Sequence, residues 1–276
     1  CAHIKPRFPF GRFRMKEKVK IFNDDFLNVV KNIADESIDL IVTDPPYPTT
    51  SRGNAGNSGG MFQKKINKQG KVFNYNNIDC DMYASEFYRI LKNGSHCYVM
   101  TNHINLIKML NSFTNLRTED EKKNGIKQYG FHFIKSLIWN KGNKIMGQFY
   151  MSQFEYILFF RKGKGVKINN CGTSDILSIP NIKRKDANGK NLHDTEKPVE
   201  LMKILIENSS LENQIVLGPF MGIGSTGIAC LQANRKFIGI EIDEKYFNIA
   251  KNEMLVFEKD SQMNISDFIN GGESKC

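Results

Sequence analysis

The chain lacks cysteines arranged in pairs. Its six cysteines are spread along the sequence with no short spacing between any two of them: Cys1, Cys80, Cys97, Cys171, Cys230 and Cys276. Zinc sites and the disulfide frameworks of small secreted proteins both require such spacings. We therefore expect no metal site and no disulfide framework, and we predict a protein of a reducing compartment, the cytoplasm.

Long hydrophobic runs are also missing. No stretch reaches the ~18 consecutive apolar residues that a membrane helix needs, and the chain does not open with a signal-peptide pattern. We therefore expect no membrane partner. The hydrophobic fraction of 40% over 276 residues is nevertheless enough for a sizeable buried core.

Acidic residues are in the minority. Lysine and arginine together number 39 against 29 aspartates and glutamates, which gives a net charge of +10. A basic surface attracts polyanions, so nucleic acid is the favoured partner. A lysine-rich solvated surface would have the same composition.

Alternating strand and helix patterns fill most of the chain. β-branched apolar runs predict strands at 19–22, 40–43, 97–100, 131–139, 156–160, 214–217 and 237–241. Helical spacing of apolar residues predicts a short helix from Phe26 and longer ones at 79–92, 104–113, 199–208, 225–233 and 246–257, the first of these ended by Asn93 and Gly94. Such an alternation predicts an α/β fold with a mostly parallel sheet, which binds ligands at the carboxyl ends of its strands.

The most informative strand ends in an acid and two prolines. Asp44, Pro45, Pro46 and Tyr47 directly follow the apolar residues 40–43. Because proline fixes its own φ and keeps the preceding residue out of the helical region, this segment is a stiff corner with unpaired carbonyls. A carboxylate, free carbonyls and an aromatic ring together suit a planar amino group, although an ordinary Asp-Pro turn contains the same residues.

A glycine turn lies near the other end of the chain. Residues 218–224 join a predicted strand to a predicted helix, and Glu241 ends the next strand. Glycines at such a turn let the backbone approach a nucleotide-like ligand, and an acid about twenty residues further on bonds ribose hydroxyls. The third glycine of a dinucleotide fingerprint is absent, which favours a cofactor with one adenosine. A purely structural turn is the alternative, just as Asp25 at the end of the first strand is either a ligand or a helix N-cap.

Four segments fall outside this pattern, which leaves residues 18–258 as the folded domain. Residues 1–17 are basic and aperiodic and predict a flexible extension or tag, and residues 259–276 predict a frayed tail. Residues 48–75 are rich in glycine, serine and lysine, which predicts a mobile loop over the corner. Residues 161–192 have a basic excess, which predicts either a target-recognition region or a solvated loop.

These motifs together resemble the amino-group DNA methyltransferases. The box Asp44-Pro45-Pro46-Tyr47 comes first and the turn Pro219-Phe220-Met221-Gly222-Ile223-Gly224 comes near the end. This order resembles the β arrangement of the family, which is found in restriction-modification and orphan methylases. Four further segments match motifs of the family in the same order: residues 23–25, 139–141, 154–160 and 193–198.

The resemblance implies a fold, a reaction and partners. The fold is a Rossmann-like methyltransferase core with a permuted motif order and basic insertions for DNA. The reaction is methyl transfer from S-adenosylmethionine to the exocyclic amine of adenine, or less often of cytosine at N4, after the base has swung out of double-stranded DNA. The partners are a second copy of the chain in a homodimer and a cognate restriction endonuclease.

The resemblance also implies a role for particular residues. Asp44 and the Pro45 carbonyl would accept the two amine hydrogens, within a box that Pro46 and Tyr47 complete, and Tyr47 would stack on the extruded base. Ten residues would bind the cofactor: Asp25, Lys197, Pro219, Phe220, Gly222, Gly224, Ser225, Thr226, Glu241 and Ile242. Among them, Glu241 would hold the ribose, Ile242 would cover the adenine and Asp25 would accept from its amine.

One position departs from the family pattern. The cofactor turn of the family normally starts with an acid where this chain has Gly218. That acid helps to fix the methionine end of the cofactor. A second hypothesis is therefore a catalytically impaired DNA-binding or regulatory subunit that kept the fold, and RNA in place of DNA is compatible with the basic loops.

Overall fold

The protein is described by a computed structural model. It describes residues 17–46, 78–116, 130–145, 149–185, 188–189, 191 and 196–270, with side chains as far as residue 258 apart from Ile145. Tyr47, almost all of the predicted extension 1–17 and the whole of the predicted loop 48–75 lie outside these residues.

The described chain contains eight strands and six helices. The strands are β1 Val19–Phe22, β2 Ile38–Thr43, β3 Leu91–Thr101, β4 His132–Ile145, β5 Ser152–Arg161, β6 Ile176–Ser178, β7 Ile215–Gly218 and β8 Lys236–Ile240. The helices are α1 Phe26–Val29, α2 Cys80–Ile90, α3 Leu106–Thr114, α4 Val199–Ser209, α5 Ser225–Gln232 and α6 Glu244–Asn270, and a 3-10 turn Val30–Asn32 extends α1.

All the strands form one sheet in the order β1-β8-β7-β2-β3-β5-β4-β6. Only β5 runs antiparallel to its neighbours, β3 and β4. The other strands are parallel to one another, because every remaining neighbouring pair is parallel. The predicted α/β fold with a mostly parallel sheet is confirmed.

Helices cover both faces of the sheet. On one face α4 and α5 bury Leu201, Leu205 and other apolar residues. On the opposite face α2 and α3 bury Phe87, Phe113 and their neighbours. Because both faces are covered, the central strand β2 is buried along its whole length, which explains its continuous apolar sequence.

The ends of β2 and β7 lie side by side at the carboxyl edge of the sheet, and we call this place the crevice. These strands are neighbours, with Leu40 opposite Val216 and Ile41 opposite Leu217. The chain leaves β2 towards β3 on one side and leaves β7 towards β8 on the other, so the two connections diverge at this point. Open α/β sheets bind their ligands at such divergence points.

The predicted end of α2 differs from the observed one. The helix ends at Ile90, and Asn93 and Gly94 belong to β3 rather than to a helix stop. The reason is tertiary, since Leu91 is fully buried and pairs with Ile38 on β2. Gly94, with φ +87, lies in the part of β3 where the register with β2 shifts.

Helix α6 is longer than the predicted helix at both ends. It begins at Glu244 because the Asp243 carboxylate accepts the backbone N–H groups of Lys245 and Tyr246, at 2.9 and 3.2 Å. It continues to Asn270 and so includes residues 259–270 of the predicted tail. Once a helix is nucleated, each further residue adds one hydrogen bond, and polar residues continue it readily. None of the helices in the described part of the chain is long and apolar enough to cross a membrane.

Candidate active site

The carboxyl ends of β1 and β8 are joined by a side chain. The Asn23 amide donates to the backbone carbonyls of Glu241 at 2.9 Å and Ile242 at 3.3 Å. Asp25 follows on the same edge and acts as the N-cap of α1, where its carboxylate accepts the Leu27 N–H at 2.7 Å. This edge therefore presents two acids, Asp25 and Glu241, of which Asp25 is already a cap.

Glu241 connects the glycine turn to the start of α6. One of its carboxylate oxygens accepts the Gly222 N–H at 2.8 Å and the other accepts the Asp243 N–H at 2.9 Å. Burial raises the pKa of Glu241 above its ordinary value, and these backbone donors act in the opposite direction. Each oxygen can accept one more hydrogen bond, so the acid remains available to a ligand hydroxyl.

Gly222 and Gly224 of the turn have different surroundings. Gly222 and Gly224 both have positive φ, +55 and +84, which favours glycine. A Cβ at Gly224 would lie 3.0 Å from the Ala250 Cβ of α6, so this glycine allows close packing of the helix. A Cβ at Gly222 would meet nothing within 4 Å, so the turn faces open space there and a ligand can approach its backbone.

Four other predicted cofactor residues are partly or fully buried around the turn. Pro219 is buried, and the Phe220 ring packs 5.6 Å from the rings of both Phe26 and Tyr83. Ser225 and Thr226 are buried in the first turn of α5. Phe220 therefore anchors the turn to α1 and α2.

Gly218 lies under an aromatic ring. A Cβ at this position would lie 2.9 Å from Cε2 and 3.0 Å from Cζ of Phe237. The same ring lies against the positions where Gly227 and Gly239 would carry a Cβ. Phe237, which is fully buried on β8, thus fills the space that a side chain at 218 would need.

Asp44 lies at the carboxyl end of β2, beside the crevice. Its Oδ2 accepts a hydrogen bond from Lys197 Nζ at 2.5 Å, while its Oδ1 has no hydrogen-bond partner among the described residues. The side chain is 24% exposed. Burial raises the pKa of Asp44, and the charge of Lys197 opposes that rise. Pro45 is buried and Pro46 is half-buried next to it.

Lys197 contacts two carboxylates in this structure. Besides Asp44 it lies 3.4 Å from Glu155 Oε2, and Lys141 Nζ lies 3.1 Å from Glu155 Oε1. Both lysine ammonium groups lie 5.9 Å from the centre of the Trp139 ring, which is 1% exposed. The predicted cofactor residue Lys197 is thus a partner of the predicted catalytic carboxylate.

Glu155 and Lys141 were not predicted as site residues. Both lie in segments that match motifs of the family, Lys141 in residues 139–141 on β4 and Glu155 in residues 154–160 on β5. Because β5 is antiparallel to its neighbours, its first residues lie at the carboxyl edge of the sheet. Strand direction is not visible in the sequence, so the convergence on Asp44 was not predictable.

Arg184 contacts the glycine turn. It belongs to the basic segment, yet its guanidinium forms ion pairs with Glu196 and, at 2.9 Å, with Glu253 of α6. It also donates to the Ile223 carbonyl of the glycine turn at 3.1 Å. Arg184 therefore stabilises the glycine turn instead of facing solvent.

The basic segment 161–192 does not form one continuous loop. Its first part, near Lys162, lies at the amino edge of the sheet, where the Lys162 carbonyl accepts the Gly94 N–H at 2.9 Å. β6 then joins the sheet beside β4. Among the described residues of the segment, those after β6 reach the carboxyl edge, where the Asn181 N–H donates to the Lys141 carbonyl at 3.4 Å.

One group of metal-type side chains occurs among the described residues. Asp79, Cys80 and Asp81 lie close together at the start of α2. Asp79 already caps the helix and pairs with Lys108 at 3.1 Å, and the Cys80 thiol lies 3.0 Å from the Ser112 hydroxyl. These contacts give the group a structural role.

Comparison with known proteins identifies the family. The profile of the DNA methylase family matches residues 38–252. The type II methyltransferase M.HinfI of Haemophilus influenzae is 29% identical over 267 residues, which cover 87% of this chain and 70% of the relative.

Solved structures share the fold. The M1.HpyAVI–SAM complex aligns with a TM-score of 0.57 and 22% identity, covering 85% of this chain and 99% of that one. The cytosine-N4-specific PvuII DNA methyltransferase aligns with a TM-score of 0.61 and 15% identity, covering 85% of this chain and 86% of that one. The family profile confirms the resemblance carried by the motifs and spans more than half of the sequence, so this chain belongs to the family of N6- and N4-acting DNA methylases.

Proposed function

We propose that the protein transfers the methyl group of S-adenosylmethionine to the exocyclic amine of adenine in double-stranded DNA. The observation that carries the proposal is the position of Asp44. Its carboxylate lies at the crevice beside the strand that leads into the glycine turn, with Oδ1 unpartnered among the described residues. An acceptor in that place suits an amine that must face a cofactor held by the turn.

The residues around the turn fit S-adenosylmethionine. Gly222 faces open space, and both oxygens of Glu241 can accept one further hydrogen bond, as ribose hydroxyls require. Ile242 is 37% exposed next to Glu241 and offers an apolar surface to an adenine ring. Asp25 would accept from the adenine amine, and the backbone of residues 219–224 with Ser225 and Thr226 would surround the methionine end.

The bound cofactor supplies an electrophilic methyl group on a positively charged sulfur. The residues of the chain act on the amine, whose lone pair is delocalised into the base and is therefore a weak nucleophile. Asp44 and the Pro45 carbonyl would each accept one amine hydrogen, and these bonds strengthen as the nitrogen becomes tetrahedral and positive. The base must leave the duplex to reach this corner, and Tyr47, outside the described residues, is the proposed stacking partner.

Duplex DNA as the partner is supported by the family and by the charge. The net charge of +10 favours a polyanion, and the part of the basic segment after β6 lies at the same edge as Asp44. Residues 179–192 are therefore the proposed contact with the recognition sequence. The homodimer and the cognate restriction endonuclease stay predictions of the family resemblance.

A methyl-transfer assay tests the proposal. Tritiated S-adenosylmethionine should label duplex DNA with the wild-type protein, and Asp44→Asn should lower kcat by at least about 10²-fold, as loss of one transition-state hydrogen bond does in other enzymes. Calorimetry should show that Asp44→Asn still binds S-adenosylmethionine. A folded wild-type protein that binds the cofactor but labels no DNA would reject the enzyme and favour the regulatory subunit.

The target base needs a separate experiment. The aspartate in the box favours adenine over cytosine, because many cytosine-amine enzymes of the family carry serine there. Long-read sequencing of DNA from cells that express the chain reports the modified base and its sequence context together. N4-methylcytosine in those reads would replace adenine in the proposal without changing the role of Asp44.

A further inference from the structure

Four charged side chains form an alternating row beside the crevice. We call Lys141, Glu155, Lys197 and Asp44 the charge row. The three successive distances are 3.1 Å from Lys141 to Glu155, 3.4 Å from Glu155 to Lys197 and 2.5 Å from Lys197 to Asp44. Lys141 and Lys197 are almost fully buried. Buried charges are costly unless they are paired, so each member depends on its neighbours.

The charge row is assembled from four parts of the chain. Asp44 follows β2, Lys141 lies on β4, Glu155 on β5 and Lys197 just before α4. Trp139 lies directly opposite Glu155 in the antiparallel pair, so the two side chains are on the same face of the sheet. Both ammonium groups lie 5.9 Å from the centre of the Trp139 ring, which limits where the lysines can move.

Lys197 is shared unequally between the two carboxylates. The hydrogen bond from Lys197 to Asp44 is short. Lys197 lies 3.4 Å from Glu155 Oε2, which is close enough for an ion pair, but Oε2 has no hydrogen bond among the described residues. Asp44 Oδ1 likewise has none. The carboxylate next to the crevice therefore has one oxygen occupied by lysine and one free for a donor.

We propose that Glu155, held by Lys141, is a positioning residue for Asp44: it shares Lys197 and so keeps Asp44 an available acceptor for the substrate amine. The inference rests on the proposed function, because it concerns the same carboxylate. If Lys197 had only Asp44 as its partner, the ammonium group would compete with the amine for that carboxylate. Glu155 attracts the Lys197 ammonium group and so weakens its interaction with Asp44. Lys141 keeps Glu155 ionised and in place.

The groups that face Asp44 determine the direction of the pH effects. They are Lys197 before α4, Glu155 on β5, Lys183 after β6 and Tyr83 on α2. Burial and the negative charge of Glu155 raise the pKa of Asp44, while Lys197 and Lys183 lower it. Burial would also raise the pKa of Glu155, but Lys197 and Lys141 lower it below its ordinary value, so Glu155 keeps its charge.

Two single variants should shift the pH–rate profile in opposite directions. Glu155→Gln removes a negative charge that repels Asp44, and Lys197 then interacts more strongly with Asp44. The pKa of Asp44 should therefore fall, and the acid limb of the kcat–pH profile should move down by about one pH unit. Lys141→Gln leaves Glu155 with one cation fewer, so Glu155 repels Asp44 more strongly and the limb should move up. Both variants should lower kcat by about tenfold to a hundredfold, with little change in KM for DNA, because the acceptor is misplaced rather than lost.

Three further variants separate positioning from folding. Glu155→Asp keeps the charge and should restore the wild-type pH limb with part of kcat. The double variant Lys141→Gln/Glu155→Gln removes both charges of that pair. It should move the acid limb down, although less than Glu155→Gln alone does. Lys92→Gln is the matched control: Lys92 pairs with Asp39 at 2.5 Å near the opposite end of β2, and its loss should not move the limb.

A measurement without turnover distinguishes the two proposals. The carboxyl carbon of Asp44, labelled with ¹³C and assigned through Asp44→Asn, can be titrated by NMR in each variant. If the wild-type protein methylates no DNA, the proposed function fails, but opposite shifts of this titration in Glu155→Gln and Lys141→Gln still support the charge row. An Asp44 titration that is the same in wild type, Glu155→Gln and Lys141→Gln would overturn the inference, whatever the activity.

Discussion

Placing an acid at position 218, where the family normally has one, should destabilise this protein rather than improve it. In Gly218→Asp the new Cβ would lie 2.9 Å from Cε2 of Phe237, closer than such contacts occur. The ring cannot move away easily, because it also lies against Gly227 and Gly239. Overpacking of a core costs about 1–3 kcal/mol, and burial of a carboxylate without partners adds to that cost.

A total on the order of 3 kcal/mol corresponds to a fall in Tm of about 6–12 °C for a domain of this size. Thermal unfolding followed by circular dichroism measures it. Gly218→Ala is the matched variant, since it introduces the Cβ without the charge and should cost the overpacking part alone. Gly218→Asp/Phe237→Val should lose less stability than the two single changes added together, because the smaller side chain makes room for the acid.

The reasoning about Gly218 can be refuted directly. A Gly218→Asp variant that keeps the wild-type Tm and gains methyl transfer would show that Phe237 does not occupy the space of the missing acid. The hypothesis of an impaired subunit would then gain support, since restoring one acid would have restored function. Calorimetric titration of wild type with S-adenosylmethionine gives the complementary result, because micromolar binding removes the reason to call the turn defective.

Three further predictions follow from other contacts. Arg184→Gln should raise the Kd for S-adenosylmethionine several-fold in calorimetry, because Arg184 holds the Ile223 carbonyl of the glycine turn, and a loss confined to DNA binding would contradict this role. Burial lowers the pKa of His96 below 6.5, so the unfolded state binds more protons at acid pH and the free energy of unfolding should fall as the pH drops through ~6.5. The variant His96→Gln should lose that part of the pH dependence of Tm. If Tm depends on pH equally in the variant and in wild type, His96 is not the cause. Lys185→Gln, at the carboxyl edge, should reduce the slope of the logarithm of the DNA association constant against the logarithm of the salt concentration by about 0.9. Lys167→Gln, in the part of the basic segment before β6, should leave this slope unchanged.

The predictions for the site rest on local chemistry. The corner at Asp44 follows from a proline pair after an apolar strand, and the turn at Gly222 follows from glycines between a strand and a helix. Both predictions need only the residues themselves and the rule that parallel strands end at one edge. The crevice between β2 and β7 brings the corresponding strand ends side by side.

The remaining features depend on contacts between distant residues. β6 is only three residues long, too short for a periodic pattern, and it was not predicted. Arg184 has the same charge as a DNA-binding residue, and only the fold shows that its partners are Glu196 and Glu253. The end of α2 was misplaced because the pairing of Leu91 with β2 outweighs the local stop signal of Asn93 and Gly94.

The crevice divides the sheet into two sets of strands, to which the proposed function gives different roles. β1, β8 and β7 carry the glycine turn and Glu241, whereas β2, β3, β5, β4 and β6 carry Asp44 and its charged neighbours. Since the turn has no residue in the second set, the outer strands can diversify without disturbing the cofactor half. Exchange of residues 185–192 between relatives, with Arg184 kept, should therefore transplant sequence preference while leaving methyl-donor binding intact.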